Sequence, residues 1–158
     1  MDPATIATAI SAASAGVDLI NKLADQVVPF LTGNKTLNRE HRMQIEGTST
    51  EIVAKEHGQT VKTITKDDLE DLPEEIGAHI AVYEASARKN YELWKAIYPK
   101  RNDSVDPVAN AKVDQQLRQI VSDMRDDLDG ILGFLESCGL YLDDHYLQFR
   151  DAIKRSGN

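Results

Sequence analysis

Cys138 and His145 are the cysteine and histidine that lie close together in the chain, and a nucleophilic thiol would need such a base beside it. A reactive thiolate also needs an exposed, electropositive setting. Cys138 falls instead on an apolar seam flanked by acidic segments, so it reads as a small buried hydrophobe. Glu75 and His79 are spaced to share one helix face, but two ligands do not make a metal site. The Glu-x-x-His pairs that build di-metal centres in helical bundles do not occur. Asp127, Asp129, Gly130 and Glu136 match the third, fifth, sixth and twelfth places of a calcium loop, yet Arg125 stands at the first, where an acid belongs. Asp143, Asp144 and His145 read as a helix start, with the carboxylates complementing the helix dipole. There is no phosphate-cradling glycine loop, nucleotide fingerprint or serine elbow. No catalytic, metal or cofactor-binding residue is assigned, and the expectation is a non-enzymatic protein with no cofactor and no small-molecule substrate.

The bulk properties point the same way. A chain of 158 residues is the size of one domain, here taken as 1–158, and can bury a single core without staples. One cysteine leaves no internal disulfide, which suits a reduced, cytoplasmic setting. A net charge of −8 argues against nucleic acid, whose binding draws on phosphate neutralisation by Lys and Arg. The charge is also unevenly placed. Residues 32–66 hold six basic and four acidic residues, whereas 67–98 hold eight acidic and three basic ones, with Asp67, Asp68, Glu70 and Asp71 at the front. Helix starts account for much of that acid, but it also forms a candidate surface for a basic partner. The two Asn-x-Ser/Thr triplets at Asn34 and Asn102 read as chance occurrences.

Residues 3–31, PATIATAISAASAGVDLINKLADQVVPFL, form the least polar stretch and the element that the others must accommodate. Asp2 and Pro3 make a good helix start; Gly33 is a natural stop, with Pro29 able to end the regular helix sooner. Ile6, Ile10, Ala13, Val17, Ile20, Val27 and Leu31 share one face, and Thr8, Ser11, Ala15, Asp18, Lys22 and Asp25 the opposite one. Ala9, Ala12 and Gly16 form a small-residue strip between them that would let another helix approach closely. Asp18 and Asp25 argue against a fixed membrane span, since a charge in the hydrocarbon costs on the order of 3 kcal/mol. The absence of a basic region ahead of the apolar stretch argues against a cleaved signal. What remains open is a core helix, a self-assembly helix through Ile6, Ala9, Ile10, Ala12, Ala13, Gly16, Val17 and Ile20, or a helix that contacts a membrane conditionally.

The polar connector NKTLNREHR reads as a loop. Residues 43–65 then turn Thr-, Ile- and Val-rich and predict a small antiparallel hairpin with Gly58 at its turn, and Gly47 separating a further short strand. Lys66 to Asp71 begin a second helical region, where a short turn can precede a restart at Pro73 as a first-turn residue. Leu69, Leu72, Ile76, Ile80, Tyr83, Ala87, Tyr91, Trp94 and Tyr98 predict one continuous face of a helix over 67–98, its aromatics serving either as core or as a partner anchor. Asp106 and Pro107 start another over 107–138, whose seam of Leu117, Val121, Met124, Leu128, Ile131, Leu135 and Cys138 alternates gaps of four and three as a bundle helix does. Residues 142–155 predict the last, with Tyr146, Phe149, Ala152 and Ile153 as its apolar side. The fold class expected is mainly α, a bundle of three to four helices with a small antiparallel β-hairpin insertion.

The opening MDPATIATAISAASAGVDLI resembles the N termini of fungal HeLo-type domains and bacterial Bell-type domains, over residues 1–20 and by composition. The resemblance implies a helical bundle tied to regulated cell death or defence, whose N-terminal helix leaves the bundle, oligomerises and acts on a membrane. Two functions are carried forward. One is a module that self-associates through the N-terminal helix as a homo-oligomer and engages a membrane on a trigger; the other is an acidic cytoplasmic binding protein, an inhibitor, immunity protein or antitoxin, that docks a basic protein.

Overall fold

The computed structural model describes residues 1–33 and 42–156. The connector expected at 34–42, with the Asn34 triplet, lies up to residue 41 outside the described residues. Helix α1 (Pro3–Thr32) begins where the Asp2 carboxylate accepts the Thr5 N–H at 2.8 Å, with Pro3 in the first turn. Pro29 does not end it. The helix runs on to Gly33, whose φ of 71° is the left-handed cap and whose N–H donates to the Pro29 carbonyl.

The further short strand, β1 (Gln44–Gly47), pairs with the expected hairpin of β2 (Ile52–Glu56) and β3 (Gln59–Ile64), so that the sheet is a three-stranded meander in the order β1-β2-β3, antiparallel throughout. His57 and Gly58, both with positive φ, form the two-residue turn between β2 and β3. The register slips near its end, Ala54 facing Lys62 but Lys55 facing Thr60, so that Val61 is an extra residue in β3. That bulge explains the imperfect alternation of β3: Ile52, Ala54 and Ile64 point into the core, while Val61 is half-exposed.

The helix expected over 67–98 is in two pieces, divided by the turn before Pro73 that the sequence allows. Lys66–Leu69 is a single turn, α2, opened by a capping box in which Asp68 accepts from the Thr65 N–H and hydroxyl. Pro73 then caps a new helix, α3 (Glu74–Ile97), because its ring cannot continue the preceding turn. A turn of 3-10 helix at Tyr98–Lys100 ends it. Helix α4 (Pro107–Ser137) starts on the Asp106 cap, and α5 (Asp144–Arg155), two residues later than expected, starts on Asp143. The described residues thus hold five helices rather than three or four.

All six leading seam residues of α4, Leu117 to Leu135, are buried, as are Tyr146, Phe149, Ala152 and Ile153 of α5. Cys138, the last on the seam, is half-buried. The aromatic stripe of α3 belongs to the core: Trp94 is fully buried, edge-on to Phe30 and stacked on Tyr98. Helix α1 is the hub and touches α2, α3, α4, α5, β1 and β2. Close approach needs small residues. A Cβ on Gly16 would lie 3.0 Å from Ile131 of α4, one on Gly77 of α3 3.1 Å from Thr5, and one on Gly47 of β1 2.5 Å from the Ser14 backbone. Arg150 of α5 ties the far side by donating to Asp129 at 2.6 Å and Glu136 at 2.5 Å, both on α4.

Candidate functional site

The interaction residues predicted from sequence separate into two environments. Ile6, Ala9, Ile10, Ala12, Ala13, Gly16, Val17 and Ile20 all lie in the core, none more than 8% exposed among those with a side chain. The small-residue strip admits a neighbouring helix, as its composition predicts, but the neighbours are α3 and α4 of the same chain.

Asp67, Asp68, Glu70 and Asp71 are all exposed, and Glu74 and Glu75 extend the same surface into the first turn of α3. Local chemistry puts them outside. Leu69 is fully buried and Leu72 packs on the core, so these two leucines pin the segment by its apolar side and turn the carboxylates to solvent. The corner is also fastened to α1: the Met1 nitrogen donates to the Glu70 carbonyl at 2.6 Å and to that of Leu72 at 3.2 Å, and the Asp2 N–H donates to Glu74 Oε1 at 3.3 Å. The Thr65 N–H holds the Asp68 carboxyl below its ordinary pKa, helped by the charge of Lys62. None of these six carboxylates takes part in a salt bridge among the described residues. Elsewhere Asp25, Asp114, Asp129, Glu136 and Asp151 each face an arginine within 3.2 Å or less.

The residues read for chemistry are engaged structurally. His145 is 3% exposed, and its Nε2 lies 2.7 Å from Arg42 Nη1, which also donates to Asp25 Oδ1 at 2.7 Å. A guanidinium only donates, so Nε2 is the acceptor in this contact. Around this pair, Tyr146 donates to Asn21 at 2.5 Å, Asn21 to the Ile45 carbonyl at 3.0 Å, and the Met43 N–H to Asp143. Burial pushes the Tyr146 hydroxyl up, away from ionisation. This knot joins α1, β1 and α5 and leaves no local trace in the sequence, because its members lie as far as 125 residues apart. Burial also raises the Cys138 thiol to about 12, with the Asp68 charge pushing in the same direction, so it is a poor nucleophile.

The partial calcium-loop pattern lies within α4. Asp127 accepts from Ser86 of α3 at 2.7 Å, while Asp129 and Glu136 are held by Arg150 of α5. Burial raises the Asp127 pKa, and the Ser86 hydroxyl opposes that shift. Glu75 and His79 are both exposed. Among the described residues no group of three or more His, Cys, Asp or Glu is placed to hold a metal ion. Helix α1 is long and apolar enough to cross a membrane by length and composition, and 50% of its most apolar 18-residue window is buried inside the fold. No protein-family model, no curated protein and no solved structure matches the chain.

Proposed function

We propose that this protein is a non-enzymatic interaction module that acts in its folded form, docking a basic protein partner through the acidic corner of Asp67, Asp68, Glu70, Asp71, Glu74 and Glu75. The observation that carries this reading is the concentration of six exposed carboxylates within nine residues, none ion-paired among the described residues. Clustered like charges repel one another, and a basic surface relieves that repulsion while steering the encounter. An oligolysine peptide titrated into the full chain at low salt, followed by amide shifts, tests the location. Shifts centred on 66–76 that vanish in the variant Asp67→Lys, Glu70→Lys, Asp71→Lys support the proposal. A response spread evenly over Asp103, Asp106, Asp123 and Asp126 would sink it.

A second reading rests on the length and hydropathy of α1, which are those of a membrane-crossing helix. In it α1 leaves the bundle, self-associates through its small-residue face and enters a lipid bilayer, as the resemblance to HeLo-type and Bell-type domains implies. The energetics make this a transition of the whole fold. Ile6, Ile10, Val17, Leu19, Ile20, Leu23, Val27, Val28 and Phe30 are nine large apolar side chains that are almost fully buried. At about 1.5–3 kcal/mol each, their exposure opposes release by on the order of 15–25 kcal/mol, an upper estimate that exceeds the roughly 5–15 kcal/mol by which a domain is stable. Release therefore requires a bilayer or an oligomer that buries the same face again. Sedimentation of the full chain with anionic liposomes tests it, and a monomer that stays in the supernatant under every condition in which it is folded counts against it.

A further inference from the structure

A cavity of about 320 Å³ opens between α3, α4 and α5, its α3 wall beginning at Ile76, next to Glu75 of the acidic corner. One wall is Ile76, His79, Ile80 and Tyr83, successive positions on one face of α3. Its floor is the backbone of α4 at Gly130 and Gly133 with the ring of Phe134, and Arg150 and Asp129 close the other side. The two glycines differ in what requires them. A Cβ on Gly130 would stand 2.5 Å from the Tyr83 ring, so that ring lies directly on the helix backbone. A Cβ on Gly133 would meet nothing nearer than Arg150 Nη2 at 3.9 Å, which is ordinary contact. No packing within the described chain demands a glycine there, although glycine is a poor residue for a helix interior.

The polar groups around the opening are partly uncommitted. Arg150 uses Nε on Asp129 and Nη1 on Glu136, leaving the Nη2 hydrogens without a partner among the described residues. Asp129 takes Arg150 and Lys154, 3.6 Å away, on the same oxygen, Oδ1. The second Asp129 oxygen and the Tyr83 hydroxyl make no hydrogen bond among the described residues. Arg150 and Lys154 balance Asp129 and Glu136, so the cavity has donors and acceptors but no net charge to match. His79 and Tyr83 add two rings 6.1 Å apart at 46° along one wall. Convergent donors and acceptors above an apolar, ring-lined floor are the makings of a ligand site.

We propose that this cavity binds a small, flat, uncharged ring bearing a donor and an acceptor on one edge, of the aromatic carboxamide or nucleobase type. The ring would lie over Gly133 against Tyr83, its acceptor taking Arg150 Nη2–H and its donor reaching the free Asp129 oxygen. Three probes share one ring and differ in charge: benzamide, benzoate and benzamidinium. Each is titrated into the full chain and followed by amide shifts. Benzamide should move the amides of Tyr83, Gly130 and Gly133 with an affinity in about the millimolar range, as its size dictates, and the two ions should bind about tenfold more weakly. Gly133→Leu fills the space and should abolish the benzamide shifts. Gly133→Ala, offered in case the leucine variant does not fold, should raise the melting temperature by about 2–4 °C while weakening binding. Stronger binding of either ion, shifts that persist in Gly133→Leu, no response to benzamide, or a lower melting temperature for Gly133→Ala would each overturn the proposal.

Discussion

The inner face of α1 and the acidic corner at α2 both carry residues suited to holding a partner, yet the fold uses one up and leaves the other open. On α1 the small residues Ala9, Ala12 and Gly16 let α3 and α4 come close, and the apolar side chains around them are spent on the core of the same chain. At the corner two leucines face inward and six carboxylates face water without a cation in salt-bridge range among the described residues. The difference is one of chemistry. Apolar surface gains by burial against any apolar neighbour, including those of its own chain, whereas clustered carboxylates gain only from a cation, and Arg150 of α5 is already engaged by Asp129 and Glu136.

Substitutions should separate the two regions most sharply on α1. Leu23→Ala or Ile10→Ala, at side chains with no exposure, should destabilise by about 2–5 kcal/mol, read from urea unfolding. Gly16→Leu belongs with them, since its first added atom already meets Ile131 at 3.0 Å; it should lower stability by about 1–3 kcal/mol or more rather than leave an intact monomer with blocked assembly. If it leaves stability unchanged, α1 is not packed as described. At the corner the order reverses. Asp67→Lys, Glu70→Lys and Asp71→Lys should each change stability by less than about 0.5 kcal/mol, while together they slow association with a basic peptide about tenfold or more at low salt and little at high salt.

Asp68 lies between these extremes, because it is exposed yet caps α2. Asp68→Ala should cost about 0.5–1 kcal/mol. Its folded pKa lies below the ordinary 3.8, so the contribution is complete above that value and is lost as the pH falls through the lower, folded value. A pH titration of stability in which the wild type, and not Asp68→Asn, loses this increment in acid checks the sign. Cys138 is read by reactivity rather than by stability. A thiol raised from 9.0 to about 12 should react with a disulfide reagent at neutral pH at least about thirtyfold more slowly in the folded protein than after unfolding. The loss of thiolate is partly offset by its greater nucleophilicity. Equal rates would mean that the junction after α4 is open.

Much of the fold is legible in residue spacing. The Asp-Pro starts at 2–3 and 106–107, the stop at Gly33 and the α4 seam all rest on local chemistry, and all stand in the structure. The restart at Pro73 is legible as a residue type, although the continuous three-and-four spacing from Leu69 to Tyr98 runs across it and leaves the length of the gap open. The bulge at Val61 shifts the alternation of β3 by one and so blurs the face pattern of the sheet. The knot of Arg42, Asp25 and His145 leaves no local trace; the only hint is that His145 sits on the apolar side of α5 next to Tyr146. The strip on α1 shows why periodicity falls short on function. Small residues at helical spacing state that something approaches closely, and nothing in them says whether that neighbour belongs to the same chain.

Native-state hydrogen exchange on the full chain tests the central claim most directly. If α1 is the hub of the fold and the protein acts while folded, the amides from Ile10 to Val28 should exchange only through global unfolding, with protection equal to that of the α4 seam from Leu117 to Leu135. If those α1 amides instead exchange through a separate, lower-energy opening while α4 stays protected, α1 is a releasable element, and the account of it as core is contradicted.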